Sequence, residues 1–302
     1  MRNKKIKVNY FKLICRDKQS NNIISFDIDL FFRTISDVAL EHRVKNYKDD
    51  HIRLESFERT IYEEREYRLL IFNRLSDSNV PKKSKFSSRP ELINLLNDEY
   101  IDQECGIVYD VDSSVMLVQA GANSINVKAI AEYFLSFYPN EGMDIEVEIN
   151  PVIGPNVIDK IKSRQVFRKV EVKLSNVYYD SALAEDTESK ALIDAFKTCQ
   201  ESGGNTYKFE LSMGYDRRNY LKSDYVISLL KDLIKNRHYI GKAEFTSPSD
   251  MVDEETTVLN FFEINLSDEI VISISPRMPI PMITLLDEML KTIHKRNEYL
   301  CQ

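Results

Sequence analysis

The 302-residue sequence has little of what builds small wired sites. Its four cysteines, Cys15, Cys105, Cys199 and Cys301, lie far apart with no Cys-x-x-Cys pair. That argues against zinc clusters and a disulfide framework, and for isolated reduced thiols. Its four histidines, His42, His51, His238 and His294, fall in unrelated segments without the spacing of a zincin. There is no Gly-x-Ser-x-Gly elbow. There is no P-loop either, because Gly203-Gly204-Asn205 is too short and leads into a strand. A Rossmann fingerprint is absent, so a nucleotide cofactor has no support. No cofactor and no metal are therefore expected. No apolar run approaches the ~18 residues that cross a bilayer. The basic N-terminus, Met1 to Lys7, is not followed by the apolar stretch of a signal peptide. The expectation is a cytoplasmic protein without membrane insertion.

What is present is ordinary globular material: 43% hydrophobic and 29% charged residues, enough for a sizeable core. Forty-one Lys and Arg against 48 Asp and Glu leave a net charge of −7. Such a chain has no global field drawing it to polyanions, so any nucleic-acid contact must be local.

Patterning suggests strands over 6–14 and 23–28, then a helix capped by Asp29 with Leu30, Phe31, Ile35 and Val38 at helical spacing. Strands are expected over 51–57 and 67–74, with Glu63-Glu64-Arg65-Glu66 as a solvated loop between them. Residues 76–91 turn polar and read as a basic linker or mobile loop carrying Lys82, Lys83, Lys85 and Arg89. A hairpin about Asp112-Ser113-Ser114 and a helix through Phe137 follow. Val170, Val172 and Leu174 alternate with Lys169, Glu171 and Lys173, the mark of a half-exposed strand. Helices over 181–200 and 221–236, and strands over 207–213, 239–246, 258–264 and 269–274, lead to a last amphipathic helix from Met282. The expected class is α+β: mixed sheets with packed helices, two subdomains and a C-terminal amphipathic helix. The subdomains are placed at 1–75 and 92–302. The last helix carries Met282, Leu285, Leu286, Met289 and Ile293 on one face, which suits either its own core or a second subunit.

Two patterns carry chemistry. The first is basic. Lys160, Lys162, Arg164, Arg168, Lys169 and Lys173 fall within fourteen residues, opposed only by Glu171. Arg217, Arg218 and Lys222 form a second cluster at a turn entering a helix, and Lys82, Lys83 and Lys85 a third. Together they are the candidate contacts to DNA phosphates; each alone is more often a solvated surface than a site. The second is the arrangement of metal-dependent PD-(D/E)xK nucleases, with Asp159 ahead of Glu171-Val172-Lys173. Residues 171 and 173 share a strand face, as metal-assisted hydrolysis requires. Glu-x-Lys is also the polar face of any amphipathic strand.

The order of elements from Gly106 to Leu174 resembles the RexA-like phage-exclusion and bacterial defence family. The resemblance lies in the hairpin Gly106 to Gly121, the helix Ala129 to Phe137, the strand Glu146 to Pro151 and the basic-led strand Arg164 to Leu174. It continues into Phe209 to Lys222. It implies a cytoplasmic homodimer that binds double-stranded DNA with little sequence preference and acts in phage exclusion or antiviral defence, with a second defence-system protein as a further partner; a non-enzymatic role is the first reading, and the enzyme question stays open. Arg164, Arg168, Lys169, Lys173, Arg217, Arg218 and Lys222 are the matching basic positions. A Mg-dependent nuclease and a protein–protein adaptor are the rival readings.

Overall fold

The computed structural model describes every residue except 1, 19–22, 79, 85–86, 88–89, 122–123, 140–143, 153, 155–165, 176, 178–180, 215–218, 237–238, 248–256, 261–265 and 301–302. The described elements run β1 (Arg2–Asp17), β2 (Ile23–Ile24), α1 (Ile28–Ser36), β3 (Lys45–Tyr47), β4 (Asp50–Tyr62), β5 (Arg65–Ser76), β6 (Ile101–Asp110), β7 (Val115–Gln119), α2 (Val127–Phe137) and β8 (Ile145–Pro151). They continue with β9 (Lys169–Ser175), α3 (Lys190–Ser202), β10 (Thr206–Ser212), α4 (Ser223–Lys235), β11 (Ile240–Ser247), β12 (Thr257–Asn260), β13 (Ser267–Ile274), α5 (Met282–His294) and α6 (Asn297–Leu300). The class is α+β, and the described strand pairings are antiparallel throughout.

The chain divides into two compact units. One is Met1–Val152 with Ser267–Gln302, the other Ile153–Leu266. This differs from the division expected at residues 76–91. That polar segment joins β5 and β6, which pair along the whole of β6 from Tyr67↔Asp110 to Ser76↔Ile101. It is a loop within one sheet. Local composition marks where the chain turns polar, but only the distant pairing of β1 with β13 returns the C-terminal strand to the first unit.

The first unit is a sheet ordered β13-β1-β7-β6-β5-β4-β3, with β2 and β8 also on β1. Strand alternation sends Phe11, Leu13, Cys15, Leu70, Phe72, Cys105 and Ile107 to one face, where they join Phe31, Phe32, Ile35, Ile130 and Phe134 of α1 and α2. The N-cap of α1 is Asp27, whose carboxylate accepts from the Asp29 and Leu30 amides at 3.0 and 2.8 Å. Asp29, expected as the cap, instead sits in the first turn and holds the buried Arg68 at 2.8 Å through both carboxylate oxygens. The opposite face buries Ile6, Val8, Tyr10, Val108 and Leu117. There α5 packs on β5, β6 and β13. A Cβ on Gly106 would lie 3.0 Å from Met282 Cε and 3.2 Å from Leu286 Cδ2, so glycine lets this helix lie close. Met282, Leu285, Leu286, Met289, Leu290 and Ile293 are buried in this packing. At about 1.5–3 kcal/mol per buried side chain, the apolar face of α5 is committed to its own core. Of the two uses expected for that face, the structure shows the intramolecular one.

The second unit is a four-stranded sheet, β10-β9-β11-β12. Val170, Val172, Leu174, Ile240, Ala243 and Phe245 form its inner face under Leu192, Phe196 and Cys199 of α3 and Val226, Leu229, Leu230 and Leu233 of α4. Three of the cysteines, Cys15, Cys105 and Cys199, are free and buried.

A candidate charged platform on the four-stranded sheet

The outer face of this sheet takes every second residue of three strands. Register places Lys208, Lys173 and Lys242 side by side across β10, β9 and β11. The next outward row is Glu210, Glu171 and Glu244, and the one after contains Lys169. With neighbouring strands roughly 4.8 Å apart, each row of three spans about 10 Å.

One glycine sets this register. The pairing of β11 with β9 slips between Ile240 and Lys242, leaving Gly241 as the extra residue of a bulge. A Cβ there would stand 2.6 Å from Ser175 Oγ. The bulge lets Ile240 face the core while Lys242, two residues on, faces out.

Glu171 sits at the centre of the platform with its side chain 9% exposed. Its Oε1 meets Lys208 Nζ at 2.9 Å and Lys242 Nζ at 3.3 Å, and its Oε2 meets Lys169 Nζ at 3.2 Å. The Lys208 hydrogen bond, followed by that from Lys169, holds the carboxyl down at about 2. Lys169 also binds Glu210 at 2.9 Å, and Lys242 binds Glu244 at 3.0 Å. Lys173 is exposed and makes no ion pair with a described residue. Four lysines against three glutamates leave the platform weakly positive.

The expected site residues fare differently. Lys169 and Lys173 lie on this face, although Lys169 is already bound to two glutamates. Arg168 joins the strands at its edge, donating its amide to Thr246 O at 2.9 Å and accepting from Met213 N at 3.0 Å. Lys222 is exposed at the N-cap of α4. It follows Leu221, whose amide donates to Phe167 O at 2.8 Å, so the start of α4 sits beside the start of β9. Lys82 and Lys83 belong to the first unit, where Lys83 is paired with Glu91 through both main-chain directions and at 3.4 Å through its ammonium. Lys85, Asp159, Lys160, Lys162, Arg164, Arg217 and Arg218 fall outside the described residues. Lys208 and Lys242 were missed in the sequence. Their own alternation shows them on an outer face, but nothing local shows that three strands align them.

For the nuclease pattern, Glu171 and Lys173 do share a face. Yet both carboxylate oxygens of Glu171 are taken by ammonium groups. No group of three or more His, Cys, Asp or Glu side chains among the described residues is placed to hold a metal ion.

Residues 1–299 match the sequence pattern of a family described as a family of unknown function, DUF6731. The chain belongs to the DUF6731 family. No curated protein matches it. The family match covers both units of this DUF6731 chain, so the charged platform and the sheet of the first unit both lie within the matched residues. No helix among the described residues is long and apolar enough to cross a membrane.

Proposed function

We propose that this chain is a non-enzymatic protein that binds the backbone of double-stranded DNA through the outer face of the β10-β9-β11 sheet. The observation that carries the reading is the in-register row Lys208–Lys173–Lys242, with Lys173 exposed and in no ion pair among the described residues. Like charges directly opposite one another destabilise a sheet. Here Glu171 offsets the row from the adjacent row of the same face, bound to Lys208 and Lys242. A phosphate backbone laid across the row would gain three cations at once, without reading bases. The biological setting we propose is phage exclusion or antiviral defence in the cytoplasm, as the RexA-like resemblance implies. A homodimer would offer two such rows to one duplex, which raises avidity for a chain of net charge −7.

Fluorescence anisotropy with a labelled duplex of random sequence tests the reading. Three phosphate contacts, at a slope of about −0.9 per contact, imply roughly 40-fold weaker binding at 200 mM than at 50 mM salt. Lys173→Ala should lower the slope by about one unit and weaken all sequences alike. Glu171→Gln removes the anion that competes for Lys208, Lys169 and Lys242, so binding should tighten. Unchanged binding in both variants would sink the proposal. Magnesium-dependent plasmid cleavage that Glu171→Gln abolishes would replace it with the nuclease reading.

A further inference from the structure

The sheet of the first unit is missing part of a strand. β7 lies between β1 and β6 but pairs with them only over Val8–Lys12 and Ile107–Asp110. It then ends at Gln119, whereas β1 continues to Arg2 and β6 to Ile101. Each of those extensions is paired on its outer edge alone, β1 with β13 and β6 with β5. Their inner edges face each other with no strand between them among the described residues. Because β7 separates them where it is present, the gap is two strand spacings wide, roughly 9.6 Å, the width that one further strand occupies.

The main chain confirms which groups line this notch. Lys7 O accepts from Ala120 N at 2.8 Å, so odd residues of β1 direct their main-chain groups inward. By the same alternation Asn3 and Lys5 present theirs to the gap. On β6 the Gly106 amide points inward and is taken by the Gln119 side chain at 3.0 Å, which closes the end of the notch. Asp102 and Glu104 share that alternation. Burial changes where β7 stops: residues 105–110 of β6 are all buried, residues 101–104 are not, and Arg2 to Lys5 are all exposed. The space is a groove of about 720 Å³ lined by Lys4, Lys5, Asp102, Glu104, Gln119 and Met282 among others, within the usual range of ligand sites.

Charge selects the occupant. On the face that carries Met282 and Gly106, the β6 side is acidic, with Asp102 and Glu104, and the β1 side carries Lys4 and, at its far end, Arg2. Desolvation and then the Glu55 carboxylate raise Asp102 against a smaller opposing effect of Arg53, and desolvation, Asp102 and Glu55 raise Glu104, so negative charge outweighs positive around these two carboxyls. On the other face Lys5, level with Gln103, is already bound to Glu269 at 2.9 Å, and Lys7 also lines the groove.

We propose that the notch binds an extended basic peptide segment of a partner protein by strand addition. Its main chain pairs antiparallel with both β1 and β6, and its alternate Lys or Arg side chains face Asp102 and Glu104. Four to five residues fill the length from Gln119 to Arg2 at about 3.4 Å each. Affinity comes from the main chain on two edges, and selectivity from alternate side chains. The proposal is independent of the DNA reading, which concerns the other unit.

The test uses the full chain and three labelled hexapeptides: Thr-Lys repeated three times, Thr-Glu repeated three times, and Pro-Lys repeated three times. Saturable binding of the Thr-Lys peptide is expected, with the Thr-Glu peptide several-fold weaker. The Pro-Lys peptide keeps every charge but loses main-chain donors, and should bind at least tenfold more weakly. Asp102→Asn with Glu104→Gln should erase the preference for lysine over glutamate. Equal binding of the Thr-Lys and Pro-Lys peptides, or no binding of either, overturns the proposal. A concentration-dependent dimer that Glu104→Pro abolishes, with no peptide bound, would assign the notch to a second copy of the chain and overturn it as well.

Discussion

Glu171 is the residue on which the platform turns, and its protonation has a definite sign. Its carboxyl sits at about 2, against an ordinary value of 4.5. The folded state therefore resists the proton that the unfolded chain accepts first. The stability it contributes is fully present above about pH 4.5 and is lost as pH falls toward 2. Urea-unfolding midpoints of the wild type and Glu171→Gln should differ by a constant amount from pH 7 to pH 5 and converge by pH 2. A gap that persists at pH 2 would mean that the lysine ring does not hold this group. At the alkaline end Lys169 and Lys242 are raised, the first chiefly by its hydrogen bond to Glu210 and the second by that to Glu244. Their share is present below about 10.5 and fades as pH rises through the raised values. Half of this arrangement was legible in the sequence. Val170, Val172 and Leu174 alternate with Lys169, Glu171 and Lys173, which puts the three charged side chains on one face. The other half comes from β10 and β11, which reach this face only through sheet register, and register is a property of pairing rather than of any one segment.

At the scale of elements, the hairpin joining β4 and β5 shows where local patterns mislead. Glu63-Glu64-Arg65-Glu66 read as a solvated loop; Glu63 and Glu64 are exposed turn residues, whereas Arg65 and Glu66 already belong to β5. Glu63 and Glu64 are the two central residues of a tight turn closed by the pair Tyr62↔Arg65, and both have positive φ, 46° and 66°. Two-residue hairpin turns of this hand favour Asn and Gly, so two glutamates are held there against their conformational preference. Glu63 has a use, since its carboxylate meets His294 Nε2 at 2.9 Å. No ion pair of Glu64 accompanies it among the described residues. Glu64→Gly should therefore stabilise the protein by about 1 kcal/mol, seen as a higher melting temperature with unchanged β-sheet circular dichroism. A lower melting temperature would show that this side chain contributes more than its backbone strain removes. The Asp27 cap belongs with this turn. Asp27 and Asp29 both precede an apolar run, and only the hydrogen bonds to the first-turn amides distinguish them. The notch beside β7 was invisible for the same reason, because a missing strand leaves no mark in the residues that flank it.

At the scale of the molecule, the second unit interrupts one strand line. β8 and β13 lie on the same edge of β1 and run the same way. Pro151 pairs with Phe11, Val152 N donates to Tyr10 O at 2.8 Å, and Ser267 pairs with Asn9. Residues 152 and 267 thus take successive positions along β1, as though 153–266 had been inserted between neighbours of a single strand. The sequence could not reveal this, since β8 and β13 share neither composition nor proximity along the chain. It has a direct consequence for folding. Deleting 153–266 and joining Val152 to Ser267 keeps every pair of β1 in register, and the shortened chain retains the whole core beneath α1, α2 and α5. It should purify as a protein with a single cooperative thermal transition. If the DNA reading is right, it should also lose duplex binding, because the lysine row leaves with the insert, while the Thr-Lys peptide still binds the notch. An aggregated product would show that the first unit requires its insert. A folded product that still binds DNA would move the interface to the first unit, and make the lysine row of the second an ordinary solvated sheet face.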